Sequence, residues 1–282
     1  MAQIIDGKAV AAAIRHQLTE EVSQLKRERG TTPGLAVIRV GEDPASKTYV
    51  GTKRRAAQEI GFNSWEFIFD AETSQEIVLR KIDELNRDPA VHGILVQLPM
   101  PKHLDANQII SAVLPEKDAD GFHPVNAGKL VLGQPAPRAC TPAGIMRLIE
   151  TTNTKIAGKK AVIVGRSNIV GKPMALLLLA ADATVTICHR QSNLRTEVPQ
   201  ADILIAAVGV NQLIKGDWIK QGAVVIDVGM NRDPEGKLVG DVEFEAASAR
   251  ASHITPVPGG VGPMTVAMLM YNTLQAAVKQ AP

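Results

Sequence analysis

Tyr49 and Lys53 stand four residues apart in Asp43-Pro44-Ala45-Ser46-Lys47-Thr48-Tyr49-Val50-Gly51-Thr52-Lys53, and Ser46 precedes the tyrosine by three. At helical spacing the three side chains share one face, so a hydroxyl, an aromatic plate and an amine converge. Such a face can stack a flat ligand and carry a proton for it. Asp43 suits the N-cap and Pro44 the first helical position, so the spacing predicts a helix that starts just ahead of the three. The competing reading is a solvated basic helix, because Lys47, Lys53, Arg54 and Arg55 crowd the segment. The tyrosine argues against it: the chain has two, and a plain basic face has no use for one.

A second set is Val162-Ile163-Val164-Gly165-Arg166-Ser167-Asn168-Ile169-Val170-Gly171-Lys172-Pro173, an apolar strand running into a glycine turn and a helix. Glycines let backbone approach a pyrophosphate while the helix N-terminus offers amide donors. Ser167 stands where GxGxxG has its second glycine, so a βα turn without a ligand stays open on this motif alone. The next strand ends in Cys188-His189-Arg190, where an NAD site places an acid for the ribose hydroxyl. Arg190, with Arg166 and Ser167, suits a 2′-phosphate instead, which favours NADP. Glycine turns at Val208-Gly209 and Asp227-Val228-Gly229-Met230 follow two further strands and could shape a nicotinamide pocket or serve only as turns.

Three further stretches carry polar or rigid groups. Gln97 ends the apolar run Gly93 to Val96, and a nearby lysine would satisfy its amide oxygen. Asp120 in Lys117-Asp118-Ala119-Asp120-Gly121-Phe122 is either a turn-forming Asp-Gly or a carboxylate for a ligand rich in N–H donors. Thr255-Pro256-Val257-Pro258-Gly259-Gly260-Val261-Gly262-Pro263 mixes fixed and open dihedrals, as a wall against a flat ligand or a loop entering the last helix would. His92, His103 and His253 lack ligand spacing, so no metal is expected.

The elements that must position these groups follow from periodicity. Apolar runs at Leu35–Val40, Trp65–Phe69 and Ile94–Leu98 read as strands, with helices near 44–60 and 74–86 between them. Runs at 161–164, 185–187, 203–208 and 224–228 repeat the pattern, and a helix over about 263–279 closes the chain. Alternation of this kind predicts an α/β protein with two α/β domains, the second a Rossmann-like doubly wound parallel sheet, and a cleft between them. The expected division is a catalytic domain over 1–140, onto which the helix of about 263–282 packs back, and a nucleotide domain over 141–262.

The 282 residues, 45% hydrophobic, are enough for two cores. A net charge of +2, dispersed and with few aromatics, argues against nucleic acid. Cys140 and Cys188 lack metal or redox spacing and suit a reducing cytoplasm. The N-terminus reads as neither signal nor transit segment, and no apolar stretch reaches the roughly 20 residues of a membrane span.

Taken in order, Val40 through Lys53, Val96-Gln97-Leu98-Pro99, Lys117 through Phe122, Cys140-Thr141-Pro142, Gly165 through Pro173 and Pro256 through Thr265 resemble the bifunctional methylenetetrahydrofolate dehydrogenase/cyclohydrolase family over nearly the whole chain. The resemblance implies NADP-dependent oxidation of 5,10-methylenetetrahydrofolate and hydrolysis of the methenyl product to 10-formyltetrahydrofolate. It implies Lys53 as the catalytic lysine, Gln97 and Ser46 as its positioners, Tyr49 packed on the pterin, Asp120 on the pterin's amino edge, and Pro258 and Gly259 lining the folate site. It assigns Gly165, Arg166, Ser167 and Arg190 to the adenosine end of the cofactor and the Met230 backbone to the nicotinamide. A cytoplasmic homodimer is implied as well.

Two rivals bear on the same residues. A short-chain dehydrogenase shares the Tyr-x-x-x-Lys spacing, but its nucleotide turn opens the chain, whereas Gly165 lies far downstream of Tyr49. A non-catalytic NADP-binding sensor would not need Lys53, Gln97 and Asp120 to act together.

Overall fold

Two parallel sheets account for the two series of apolar runs. The computed structural model describes residues 1–281; the side chains of residues 44–48, and Pro282, lie outside the described residues. In chain order the strands and helices are β1 (Gln3–Ile4), α1 (Gly7–Arg29), β2 (Gly34–Val40), α2 (Pro44–Glu59), β3 (Asn63–Phe69), α3 (Gln75–Arg87), β4 (Gly93–Val96), α4 (Ala106–Ser111), α5 (Pro124–Val131) and α6 (Cys140–Glu150). They continue as β5 (Lys160–Val164), α7 (Gly171–Ala180), β6 (Thr184–Cys188), α8 (Leu194–Glu197), β7 (Ile203–Ala206), β8 (Val224–Asp227), β9 (Asn231–Arg232), β10 (Leu238–Val239), α9 (Phe244–Ser248), β11 (His253–Ile254) and α10 (Val261–Gln280).

The first sheet has the order β3-β2-β4, all parallel. β2 and β4 are buried along their whole length, which is why they read as unbroken apolar runs rather than alternating ones. Helix α3 turns Val78, Ile82 and Leu85 inward at i, i+4 and i+7, onto a core that includes Ile38, Ile94 and Ile109.

The second sheet has the order β1-β11-β8-β7-β5-β6, again all parallel. From β5 the chain first adds β6 on one side and then β7 and β8 on the other. This reversal is the topological switch of doubly wound sheets, and ligands of such sheets bind at the carboxyl ends of the strands beside it.

Contacts divide the chain into two compact units, Met1–Ala11 with Ala139–Thr265, and Ala12–Arg138 with the segment from Val266 on. β1 explains the first grouping: its pairing with β11 ties the first residues to the second sheet rather than to the segment that follows them. In the other unit, Asn272 of α10 donates to the carbonyls of Ala119 (3.0 Å) and Arg138 (2.9 Å). A Cβ at Gly93 would lie 2.8 Å from Thr273 Oγ1, so that strand and α10 approach as closely as glycine permits.

Helix α1 is absent from the periodicity reading. Its buried apolar positions Ala11, Leu18, Val22 and Leu25 form a sparse stripe, too thin to stand out from an alanine-rich and charged background. A local signal was present in Asp6, whose Oδ1 accepts the N–H groups of Lys8 (3.0 Å) and Ala9 (3.1 Å) at the helix start.

Candidate active site

Helix α2 follows directly on β2, so its first turns stand at the carboxyl end of the first sheet. Val50, Lys53 and Ala57 occupy i, i+3 and i+7 and form its buried stripe, with Lys53 only 7% exposed. Arg54 and Arg55 on the other faces are exposed. Lys53 is therefore not part of a solvated basic face. Its Nζ donates to Gln97 Oε1 at 3.0 Å.

Gln97 is held twice. Its backbone N–H extends the ladder by one rung to the Ile38 carbonyl (2.8 Å), and its Nε2 donates to the Leu98 carbonyl (2.6 Å). The second bond fixes which amide atom faces the lysine. Tyr49, one turn before Lys53, is half-buried, and burial raises its phenol above the ordinary value. The side chain of Ser46 lies outside the described residues.

The Asp120 loop is organised by its neighbour. Asp118 is buried; its Oδ1 accepts the N–H groups of Gly121 (3.1 Å) and Phe122 (3.1 Å), and its Oδ2 accepts from His123 N–H (2.8 Å) and Asn126 Nδ2 (2.9 Å). Gly121 takes φ +74° at the turn, a region that L side chains disfavour. Asp118 therefore makes the turn, and the Asp-Gly step at 120–121 does not use the Asp120 carboxylate. Among the described residues no hydrogen bond engages that carboxylate, which lines a small cavity with Ile94, Val96, Ile110, Val113, Asp118 and Phe122. Burial pushes it up to about 6, against the pull of the nearby Lys53 and with a smaller push from Asp118.

The other predicted residues belong to the second sheet's unit. Gly165 follows β5 at φ +127°, and a Cβ there would meet the Ala207 carbonyl oxygen at 2.1 Å. A Cβ at Gly171, the first residue of α7, would meet the Gly165 oxygen at 2.2 Å. The turn after β5 thus packs against the end of β7 at the switch point, more closely than any residue but glycine allows. Ser167 Oγ accepts the N–H groups of Val170 (3.1 Å) and Gly171 (3.4 Å) and shapes the entry to α7.

Arg166 and Arg190 are exposed. In the turn after β6, Ser192 Oγ accepts the His189 N–H (3.0 Å) and His189 Nδ1 accepts the Gln191 N–H (3.2 Å), so neighbouring side chains fold the loop and leave the Arg190 guanidinium outward. No acid occupies this strand end. Pro258 is exposed, and Gly259 at φ +107° accepts the Lys8 N–H through its carbonyl (3.1 Å).

Of two buried acids here, the sequence reading names Asp227 only as part of a glycine turn and misses Asp241. Asp227, at the end of β8, is 4% exposed and accepts the N–H groups of Gly229, Asp241 and Val242, each at 2.9 Å. Burial pushes it up to about 6 despite these donors. Asp241 is 0% exposed and accepts from Val208 N–H (2.6 Å), Gly209 N–H (3.0 Å), Val210 N–H (3.0 Å) and Asn231 Nδ2 (2.9 Å). The one local sign was the pair of glycines beside them, Gly229 and Gly240, where a Cβ would strike Asp241 and Asp227 respectively.

Known proteins share this arrangement. The tetrahydrofolate dehydrogenase/cyclohydrolase catalytic domain matches residues 5–120, and the NAD(P)-binding domain of the same family matches residues 139–281. The chain is 67% identical to bifunctional protein FolD 2 of Myxococcus xanthus over 278 residues, covering 99% of this chain and 96% of that protein. Among solved structures, the bifunctional FolD methylenetetrahydrofolate dehydrogenase/cyclohydrolase of Campylobacter jejuni superposes with a TM-score of 0.97 at 47% identity, covering 99% of both chains. The FolD of Trypanosoma brucei, solved with NADP cofactor and inhibitor, gives 0.95 at 44% identity over 99% of this chain and 98% of that one. With both of its halves matched and its length covered almost end to end, the chain belongs to the tetrahydrofolate dehydrogenase/cyclohydrolase family.

Proposed function

We infer that the chain is a bifunctional enzyme of one-carbon metabolism, an NADP-dependent methylenetetrahydrofolate dehydrogenase and methenyltetrahydrofolate cyclohydrolase. Family membership supports the two activities, and the observation that carries the chemistry is the buried Lys53 held by Gln97 with Asp120 nearby. NADP+, when bound, accepts the hydride that leaves the methylene bridge of 5,10-methylenetetrahydrofolate. In the second reaction water adds to the cationic methenyl carbon, the bond from that carbon to one ring nitrogen breaks, and 10-formyltetrahydrofolate is released.

Lys53 takes the proton of the adding water and returns one to the departing ring nitrogen. Gln97 holds the amine in place, with Ser46 assigned to the same task on the family resemblance alone; Tyr49 packs on the pterin, and the Asp120 carboxylate accepts from the pterin's amino edge. The unit of residues 12–138 thus supplies the folate chemistry. Pro258 and Gly259 are assigned to the folate on the family resemblance.

The unit of residues 139–265 suits the dinucleotide: the glycine turn after β5 leads into the N-terminus of α7, where amide donors can receive a pyrophosphate, and no acid at the end of β6 opposes the charge of a 2′-phosphate. On the family resemblance, Arg166, Ser167 and Arg190 would hold the adenosine end of the cofactor, and the Met230 backbone would lie near its nicotinamide. Both activities measured on one purified sample test the reading. NADP-dependent oxidation together with cofactor-free hydrolysis supports it, and a folded protein lacking hydrolysis refutes it.

A cytoplasmic homodimer is part of the same proposal. Cys140 and Cys188 are buried and not joined in a disulfide, which suits a reducing compartment, and among the described residues no helix is long and apolar enough to cross a membrane. β3 is a seven-residue edge strand whose outer side pairs with no strand among the described residues, and Ile68 on it is exposed. Such an edge is a template for a second copy. Light scattering should give twice the chain mass, and Ile68→Lys should shift it toward the monomer.

A further inference from the structure

We propose that Asp241 is a positioning residue for the dehydrogenase step, holding the loops after β7 and β8 in the shape that receives the nicotinamide end of NADP+. The inference rests on the function proposed above and concerns a residue that is fully buried.

The geometry is that of a clamp between two strand ends. Asp241 Oδ2 receives the N–H groups of Val208 and Gly209, and Oδ1 receives those of Val210 and the Asn231 side chain. Three successive N–H groups of the loop after β7 and one group beyond β8 are thus tied to a single carboxylate. Asp227 then ties Asp241 down, accepting the N–H groups of residues 241 and 242 and of Gly229. Thr255 Oγ1 accepts the Asp227 N–H at 2.8 Å and secures that end in turn.

Burying a carboxylate completely is unfavourable unless its oxygens are filled with donors, and here they are. The beneficiaries of the clamp lie at the carboxyl edge of the sheet. The Ala207 carbonyl, just ahead of the clamped loop, touches the dinucleotide turn at Gly165. Val210 and Met230, one on each loop, stay 49% and 51% exposed. Apolar side chains held in water on rigid loops at a sheet's binding edge form a surface for an apolar ring face. A shift of about an ångström there is enough to spoil hydride transfer.

Asp241→Asn tests the clamp. The amide can turn its oxygen to Val208 and Gly209, but its nitrogen then faces the Val210 N–H, donor against donor. We expect dehydrogenase kcat to fall by about tenfold or more while KM for NADP+ changes by less than about threefold, because the adenosine contacts are untouched. Hydrolysis of methenyltetrahydrofolate without cofactor should stay at the wild-type rate, since Lys53, Gln97 and Asp120 belong to the other compact unit. Asn231→Ala removes one donor of four and should lower kcat in the same direction by a smaller factor, which keeps the inference testable if Asp241→Asn fails to fold.

Equal loss of both activities in folded variants, or unchanged dehydrogenase kcat, overturns the inference. A wild-type protein that hydrolyses but shows no NADP-dependent oxidation overturns the functional reading and this inference with it.

Discussion

Asp118 and Asp120 stand two residues apart and divide two tasks: Asp118 accepts the N–H groups of Gly121, Phe122 and His123, and Asp120 is left with its carboxylate uncommitted and near Lys53. The division matters because a carboxylate busy with its own turn cannot also receive a ligand's donors. Both carboxylates line the same small cavity, but Asp118 takes the turn's N–H groups and none goes to Asp120.

Lys53→Ala should abolish cyclohydrolase activity while NADP binding persists, because the proposed role of the amine is to carry the proton and the glycine turn after β5 belongs to the other compact unit. Assaying methenyltetrahydrofolate hydrolysis and cofactor titration on one preparation checks this. Hydrolysis at the wild-type rate would remove Lys53 from the mechanism.

Asp120→Asn should raise KM for the folate, because an amide offers one acceptor where the carboxylate offers two, and charge-assisted bonds are worth about 1.5 to 3 kcal/mol. The same group predicts a pH effect. With its carboxyl near about 6, Asp120 takes up a proton as pH falls through that value and loses acceptor capacity. KM for the folate should climb below that point in the wild type and stay flat in Asp120→Asn. Parallel profiles would return Asp120 to a structural role.

Stability should move the opposite way with pH. Asp120 and Asp227 are both raised from 3.8 to about 6, chiefly by burial, so the folded state holds protons that the unfolded state releases. Their favourable contribution is complete below the unfolded value and is lost as pH rises through about 6. Asp120→Asn should therefore melt above the wild type at pH near 7 and converge with it toward about 4, a comparison that thermal scans across the range decide. A variant less stable than the wild type at neutral pH would contradict the assignment.

Arg190→Ala should raise KM for NADP+ far more than for NAD+, since an exposed guanidinium at a strand end without an acid is suited to a 2′-phosphate. A loss of about 1.4 kcal/mol would narrow the cofactor preference by about tenfold. Steady-state kinetics with both cofactors measure it, and an unchanged ratio of kcat/KM values would leave recognition to Arg166 and Ser167.

The repeating elements were determined by the sequence alone, because buried parallel strands must be unbroken apolar runs and the helices between them must carry a stripe: 34–40, 93–96, 160–164 and 224–227 all announce themselves this way. So did two local groupings proposed for the site, Tyr49 with Lys53 on one helix and Gly165 in its βα turn. Only the tertiary structure decided that Lys53 lies in the buried stripe of α2 rather than among the arginines of its exposed faces, because that depends on which side of the helix meets the sheet. It also decided that Asp118 and not Asp120 makes the turn. The attachment of residues 1–11 to the second sheet rests on a two-residue strand paired with residues 253–254, a contact too short and too distant in sequence to leave a periodic trace. The roles of Asp227 and Asp241 were illegible for the same reason: a buried carboxylate is specified by the backbone donors that gather around it, and those come from three loops that only the folded chain brings together.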